Sequence, residues 1–375
     1  MYVPSTVVTN DAFVKMGLDT TDEWITSRTG IEERRLVGRD EPTSELAVKA
    51  ARRALQVADL HASDIDLIIV ATCTPDQVMP STASLVQDKL GAKRAGAFDL
   101  NAACAGFVYA LNMGAAQIEA RRAKRVMVIG ADELSIYLDW KDRGTCILFG
   151  DGAGAVLLQS ADTPGILTST VGSDGSGAGL LNIRGGGSRY RVNGNGAGPN
   201  GTGKHSAPAG DQYLRMNGQQ IFRWATQMMT EAAEQVMRES GLKPDQIDLF
   251  IPHQANLRII EATSRKLGLP PEKVFSNVSN YGNTSAASIP IALCEAIDSG
   301  QIDVGDNIVL TSFGAGLTWS ALALHWTQEI PTRAQSAWTP FRQQLDSRMA
   351  AVQSALRRQE RRVRTTIDER LGREP

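Results

Sequence analysis

Leu60-His61-Ala62-Ser63-Asp64-Ile65-Asp66-Leu67-Ile68-Ile69 reads as a helix exit, a polar turn and the start of an apolar strand, and Leu242-Lys243-Pro244-Asp245-Gln246-Ile247-Asp248-Leu249-Phe250-Ile251 repeats the pattern 182 residues later. The same offset relates Asn101-Ala102-Ala103-Cys104-Ala105 to Asn283-Thr284-Ser285-Ala286-Ala287, and Val126-Met127-Val128-Ile129 to Ile308-Val309-Leu310-Thr311. Lys89-Leu90-Gly91 and Lys266-Leu267-Gly268 fall five residues out of phase. Three landmarks at one spacing describe a duplicated α/β unit. Each half alternates short β-rich runs with helical stretches such as 44–57 and 219–239, which predicts mostly parallel sheets covered by helices. In such sheets ligands bind at the carboxyl ends of the strands.

The 375 residues carry a net charge of −2 and 42% hydrophobic side chains, enough for a large core in one domain or two closely packed halves. No run approaches the roughly 18 apolar residues of a membrane helix, and the first residues lack a charged-then-apolar leader. The four cysteines, Cys73, Cys104, Cys146 and Cys294, show neither CxxC spacing nor a metal-ligand rhythm with histidine. The expectation is a reduced, cytoplasmic protein with no metal site and no nucleic-acid partner.

Cys104 closes the predicted strand Gly96-Ala97-Phe98-Asp99-Leu100 and opens the helix Val108-Tyr109-Ala110-Leu111-Asn112-Met113. Unpaired N–H groups at a helix start favour thiolate, and small neighbours admit an acyl group. A buried structural cysteine is the competing reading. Of the four histidines, His61 lies in a polar turn, His205 in a Gly-rich loop and His325 on the terminal strand; His253 alone follows a strand end, in Ile251-Pro252-His253-Gln254. Asn283 again stands among small residues that open a helix, where an N-cap or turn role competes. Together, a thiolate can split an acyl transfer into two steps, while His and Asn donate to a second thioester oxygen as charge gathers there. A Cys protease would share these residue types but not the duplicated sheet. The turn Ser312-Phe313-Gly314-Ala315-Gly316-Leu317 is a further candidate for backbone N–H donation.

At these residues the chain resembles the β-ketoacyl-acyl carrier protein synthase III family of the thiolase superfamily, over about residues 2–326. The motifs are Thr21-Asp22-Glu23-Trp24-Ile25 with Arg28-Thr29-Gly30-Ile31, Ala102-Ala103-Cys104-Ala105-Gly106-Phe107, Phe149-Gly150-Asp151-Gly152-Ala153-Gly154-Ala155, Pro252-His253-Gln254-Ala255-Asn256 and Gly282-Asn283-Thr284-Ser285. The resemblance implies a homodimer of αβαβα layered subunits, with a nucleophile half at 1–160, a His/Asn half at 161–326 and an extension at 327–375. It implies that acyl-CoA acylates Cys104 and that malonyl-acyl carrier protein is then decarboxylated with help from His253 and Asn283, without a resident cofactor. It carries over Cys104 and Ala315 as an acylation oxyanion hole, Trp24, Arg28, Arg143, Gly218 and Asn256 as CoA contacts, and Met79 as the residue closing the partner's acyl pocket. Trp24 and Arg143 would sandwich the adenine. Arg223, Arg258, Arg265 and Lys266 would form a basic rim for an acidic carrier protein. Two alternatives stand beside this reading: a related starter-loading or acyl-joining synthase of secondary metabolism, and a non-catalytic carrier-binding scaffold, which the intact Cys-His-Asn set disfavours.

Three departures from the pattern stand out. Family members begin with a strand upstream of a segment like Tyr2-Val3-Pro4, which bears on the first sheet and the dimer. Residues 172–210 are long and Gly-rich, which suggests a mobile loop near the tunnel mouth. From Arg333 to Pro375, ten Arg face five Asp or Glu, a net of +5. There Trp338, Phe341, Leu345, Met349, Val352, Leu356, Val363, Ile367 and Leu371 recur at helical spacings, opposite Arg357, Arg358, Arg361, Arg362 and Arg364. This predicts an added C-terminal amphipathic helix whose apolar stripe contacts protein, in preference to an anionic membrane surface.

Overall fold

The 182-residue offset persists in the backbone of the computed structural model, which describes residues 1–188, 211–329, 349–350, 352, 354–357 and 359–360. In chain order the strands are β1 (Thr6–Thr9), β2 (Glu33–Leu36), β3 (Leu67–Ala71), β4 (Gly96–Leu100), β5 (Arg125–Glu133), β6 (Asp151–Gln159), β7 (Ile166–Ser173), β8 (Leu181–Asn182), β9 (Arg215–Met216), β10 (Leu249–Pro252), β11 (Asn307–Gly314) and β12 (Thr318–His325). The helices are α1 (Asn10–Lys15), α2 (Asp22–Thr29), α3 (Thr43–Val57), α4 (Thr82–Leu90), α5 (Gly106–Glu119), α6 (Gly218–Ser240), α7 (Leu257–Lys266), α8 (Val278–Tyr281) and α9 (Ser288–Asp298). The starts of β3 and β10, of β5 and β11, and of α5 and α9 are each 182 residues apart.

Two four-stranded sheets result, ordered β4-β3-β5-β6 and β10-β11-β12-β7. Strands β4, β3 and β5 run parallel, as do β10 and β11, whereas β6, β12 and β7 are antiparallel to their neighbours. The mostly parallel arrangement expected from the sequence is therefore only half right. The turn Ala315–Leu317 joins β11 to β12 directly, and a hairpin that short can only connect antiparallel strands.

Five layers follow from where the apolar faces point. Leu46, Ala47, Ala50, Ala51 and Leu55 of α3 lie one helical turn apart and bury against Ile68, Val70 and Met127 of the first sheet. Met237, Val236 and Ala233 of α6 cover Val309 and Phe250 of the second. Between the sheets, Phe107, Val108 and Leu111 of α5 share one core with Ile289 and Leu293 of α9, Ile69 of the first sheet and Ile251 and Leu310 of the second. Burying one such side chain contributes about 1.5–3 kcal/mol, so the α5/α9 layer fastens the halves together. This is the αβαβα arrangement expected.

At the N-terminus, Tyr2 pairs with Ala153 on the outer edge of β6 through two backbone hydrogen bonds of 2.7 and 2.9 Å. That edge corresponds to the position β7 occupies beside β12 in the second sheet. At the other end, the described residues between 349 and 360 are helical and lie against α4. Ser354 Oγ donates to Asp88 Oδ2 at 2.5 Å, Arg357 Nη2 donates to Asp88 Oδ1 at 2.9 Å, and Ala350 is buried against Gly91. The three described residues of the expected stripe do not make this contact: Met349, Val352 and Leu356 are 49, 58 and 57% exposed. A small residue and two hydrogen-bonding ones fit the tight approach at the end of α4 better than branched apolar side chains do. Trp338, Phe341, Leu345, Val363, Ile367, Leu371 and Arg358, Arg361, Arg362 and Arg364 lie outside the described residues or carry no described side chain.

Candidate active site

Cys104 sits in a sharp elbow between β4 and α5. The preceding Ala103 has φ +46°, and 182 residues on, Ser285 has φ +52°, a left-handed conformation that non-glycine residues seldom adopt. The two elbows, Cys104 in one half and Ala286 in the other, sit back to back but are wired differently. Asp132 Oδ2 accepts the Ala286 N–H at 3.0 Å. The residue at the matching place in the other half is Gly314, where a Cβ would lie 2.7 Å from the Cys104 nitrogen. One elbow N–H is thereby satisfied by a buried carboxylate. The other, at Cys104, takes no backbone partner among the described residues, nor does the N–H of Ala315. Ser312 Oγ donates to Cys104 O at 2.7 Å, and Thr318 Oγ1 donates to Ala102 O at 2.8 Å, fastening the elbow to β11 and β12.

The thiol is not the ready thiolate that the helix start suggested. Burial pushes Cys104 up to about 12; a hydrogen bond with the Ser285 hydroxyl opposes the rise and the Asp132 carboxylate adds to it. Desolvation of the anion outweighs the partial charge of a single helix terminus. Ser285 also lies 3.9 Å from Cys73 Sγ, so both sulfurs and Asp132 meet around one hydroxyl.

His253 follows the end of β10 and is 2% exposed. Burial holds its pKa down to about 3, so the imidazole is neutral. Its Nδ1 lies 2.6 Å from Ser288 Oγ, on the first residue of α9. Asn283 is fixed by its backbone, its N–H donating to Leu148 O at 2.8 Å and its carbonyl accepting from Gly150 N–H at 3.0 Å. Its side chain is fixed as well. The Ser285 N–H donates to Asn283 Oδ1 at 2.8 Å, which leaves the amide NH2 as the donor group of that side chain.

Cys104, His253 and Asn283 all line one cavity of about 540 Å³. Ile147, Phe149, Ile221, Met229 and Phe313 give part of its lining an apolar character, and Trp24, Arg28, Arg143, Asn256 and Arg258 stand on the lining as well. Gly218, the first residue of α6, lines it too, as do Leu181 and Met216 of the β8–β9 ribbon. That ribbon brackets part of the Gly-rich stretch expected near the tunnel mouth; residues 189–210 and His205 lie outside the described residues.

The Trp24 indole carries a guanidinium on each count: Arg28 at 4.4 Å and Arg143 at 4.5 Å from the ring centroid. Arg143 also donates to the Asp19 carbonyl oxygen. The slot expected for an adenine between Trp24 and Arg143 is closed, since an inserted ring needs about 7 Å, two van der Waals spacings. Asn256 is committed to the scaffold: its Oδ1 accepts the Arg258 N–H at 2.9 Å as the N-cap of α7, and its Nδ2 donates to Arg28 O at 3.1 Å. Arg258 Nη2 donates to Ser27 O at 2.8 Å. Arg223, Arg265 and Lys266 are exposed on α6 and α7 and do not line the cavity, nor does Ala315. Met79 is 84% exposed and lies outside its own chain's cavity. Among the described residues no group of three or more His, Cys, Asp or Glu could hold a metal, and no helix is long and apolar enough to cross a membrane.

Sequence reading named Gly314 within the 312–317 turn and Ser285 within the Asn283 motif but gave neither this role, and it missed Ser288 and Asp132. Asp132 was within reach, since the 182-residue offset pairs it with Gly314 directly. Ser288 carries no motif that marks it.

A duplicated five-layer fold with Cys and His converging from two strand ends, and Asn from the segment between α8 and α9, defines a thiolase-like condensing enzyme. Residues 98–175 match the family model "3-Oxoacyl-[acyl-carrier-protein (ACP)] synthase III", and residues 237–326 match the model of its C-terminal part. A β-ketoacyl-[acyl-carrier-protein] synthase III of Clostridium perfringens is 50% identical over 86% of this chain and 95% of its own. That of a Roseiflexus species is 47% identical over 87% and 96%. The crystal structure of 3-oxoacyl-[acyl-carrier-protein] synthase III from Aquifex aeolicus superposes with a TM-score of 0.78 at 45% identity, over 87% of this chain and 97% of that one. The chain belongs to the β-ketoacyl-acyl carrier protein synthase III family.

Proposed function

We propose that this enzyme condenses an acyl-CoA starter with malonyl-acyl carrier protein to give a 3-oxoacyl-acyl carrier protein, the first condensation of type II fatty acid synthesis. In the first step the Cys104 sulfur attacks the acyl-CoA carbonyl. The backbone N–H groups of Cys104 and Ala315 receive the developing oxyanion. The C–S bond to CoA breaks, and the proton that leaves the Cys104 thiol ends on the CoA sulfur. A thiol with a pKa near 12 loses its proton only as the new bond forms, so the acyl-enzyme is made without a standing thiolate.

In the second step malonyl-acyl carrier protein loses CO2. Its thioester oxygen gathers the charge of the enolate, and the amide of Asn283 with the ring of His253 donates to that oxygen. The enolate carbon attacks the acyl-Cys104 carbonyl, the C–S bond to Cys104 breaks, and the departing thiolate takes a proton from solvent. A neutral His253 suits this role, since a donor that does not itself ionise stabilises the enolate without collapsing it by proton transfer. No resident cofactor enters.

Trp24, Arg28, Arg143, Gly218 and Asn256 are assigned to CoA. Arg223, Arg258, Arg265 and Lys266 are assigned to the acidic carrier protein, and Met79 to the acyl pocket of the second subunit of a homodimer. The catalytic halves divide at 160/161, with the extension beginning at 327, in a cytoplasmic protein. The observation that carries the reading is the convergence of Cys104, His253 and Asn283 on one cavity whose lining also holds the Trp24 and arginine cluster.

The decisive experiment measures CO2 release from malonyl-acyl carrier protein with and without acyl-CoA, alongside intact-mass detection of acyl-Cys104. One acyl mass that vanishes in Cys104→Ala, with His253→Ala and Asn283→Ala impaired in decarboxylation by about a hundredfold more than in acylation, is the expected pattern. A label on Cys73, Cys146 or Cys294, or equal loss of both half-reactions, overturns it.

A further inference from the structure

We infer that Ser288 is a positioning residue that donates its hydroxyl proton to His253 Nδ1 and thereby holds the ring proton on Nε2. The inference rests on the reading of His253 as a hydrogen-bond donor to the malonyl thioester, and it supplies what that reading lacks. A neutral imidazole has one N–H, and it donates to a substrate only if that N–H is on the nitrogen facing the substrate.

The direction of the hydrogen bond follows from the neighbours of Ser288 Oγ. Two groups lie within reach among the described residues: His253 Nδ1 at 2.6 Å and the backbone N–H of Gln254 at 3.5 Å. A backbone N–H can only donate, so Ser288 Oγ is its acceptor. Among the described residues no carbonyl or carboxylate competes for the hydroxyl hydrogen, which leaves Nδ1 as its acceptor. With Nδ1 accepting, the single ring proton sits on Nε2. Both residues are 2% exposed, so water does not take over either role.

The duplicated fold supplies an internal control. The places matching His253 and Ser288 in the other half are Ala71 and Gly106, where a Cβ built on Gly106 would lie 3.3 Å from Ala71 Cβ. The same strand end meets the same helix start in both halves. Only the half that carries the histidine carries a hydroxyl opposite it.

The test uses the intact enzyme labelled with 15N-histidine, with the His253 ring signals identified by their loss in His253→Gln. The wild-type ring is expected to carry its proton on Nε2. Ser288→Ala is expected to shift the ring toward the Nδ1–H form and to lower the ratio of condensation to Cys104 acylation rates by roughly ten- to a hundredfold, with Ser288→Thr restoring both. A wild-type ring with its proton on Nδ1 overturns the inference whether or not any variant folds. So does a Ser288→Ala ring unchanged in tautomer. Normal malonyl decarboxylation in His253→Ala would instead overturn the functional reading, and the wild-type ring spectrum would still judge Ser288 independently.

Discussion

The guanidinium carbon of Arg143 lies 4.5 Å above the indole of Trp24, in the space where a purine would otherwise stack. The Arg143 guanidinium thus covers the aromatic platform, held by its contacts with Asp19. Trp24 itself is braced from Arg28 at 4.4 Å, so it is Arg143 that has to move.

Binding of an acyl-CoA is therefore expected to displace Arg143 from Trp24. Arg143→Ala trades the loss of one stacking partner for an open slot. Trp24→Ala loses the platform outright, a cation–π and stacking contribution of about 1–2 kcal/mol, so its apparent KM for acyl-CoA should rise roughly tenfold. Arg143→Ala should raise it less. Steady-state kinetics with acyl-CoA varied checks the order, and a larger effect from Arg143→Ala would mean that the cation contacts CoA in another way.

Gly314→Ala should disable the first half-reaction. The added Cβ would stand 2.7 Å from the Cys104 nitrogen and 3.0 Å from Ala102 O, too close to be absorbed without moving the elbow. Loss of one oxyanion donor costs about a hundredfold in rate. Intact-mass time courses of Cys104 acylation measure this, and an acylation rate within threefold of wild type would remove Gly314 and the Cys104 N–H from the oxyanion site.

The buried thiol makes a prediction about pH. With Cys104 pushed up to about 12, the enzyme holds almost no thiolate near neutrality. Alkylation of Cys104 by iodoacetamide should keep accelerating as pH rises, about tenfold per pH unit, with no plateau up to at least pH 9. Rates resolved by peptide mass mapping test it. A plateau near pH 7 would show instead that the helix start and neighbouring dipoles outweigh desolvation.

Asp88 holds the described part of the C-terminal extension through both carboxylate oxygens, one to Ser354 and one to Arg357. The Arg357 pair is about one-third exposed on each side, so it contributes about 0–1 kcal/mol. Asp88→Ala should leave Cys104 acylation unchanged and shift the thermal midpoint little. It should, however, speed tryptic cleavage at the arginines of residues 333–375. Unchanged cleavage kinetics would mean that Asp88 does not anchor the extension.

Much of the fold was legible because its signal is local. A strand announces itself by a run such as Leu67-Ile68-Ile69-Val70 and a helix by the spacing of Leu46, Ala47, Ala50, Ala51 and Leu55, and the 182-residue repeat multiplied those signals. The placement of Cys104 and His253 after strand ends was legible for the same reason; Asn283, expected at a matching strand end, instead follows the short helix α8 and meets Phe149 in an isolated bridge, since the second half forms no strand where the first has β4. Strand direction was not, because β12 reverses on a three-residue turn whose glycine and backbone geometry the apolar pattern does not encode.

What the sequence by itself determined is the duplication, the layered α/β class and the three reactive side chains, since each depends on residues within one or two elements. Tertiary structure alone decided which distant side chains meet: Asp132 on one elbow N–H and Gly314 behind the other, Ser288 against His253, Arg143 over Trp24, and Ala350, Ser354 and Arg357 against α4. These contacts join residues tens to hundreds of positions apart, and which side chains touch is fixed by close packing of the α5/α9 layer between the sheets. A periodic pattern states which face of an element is buried, but not which atom waits on the other side.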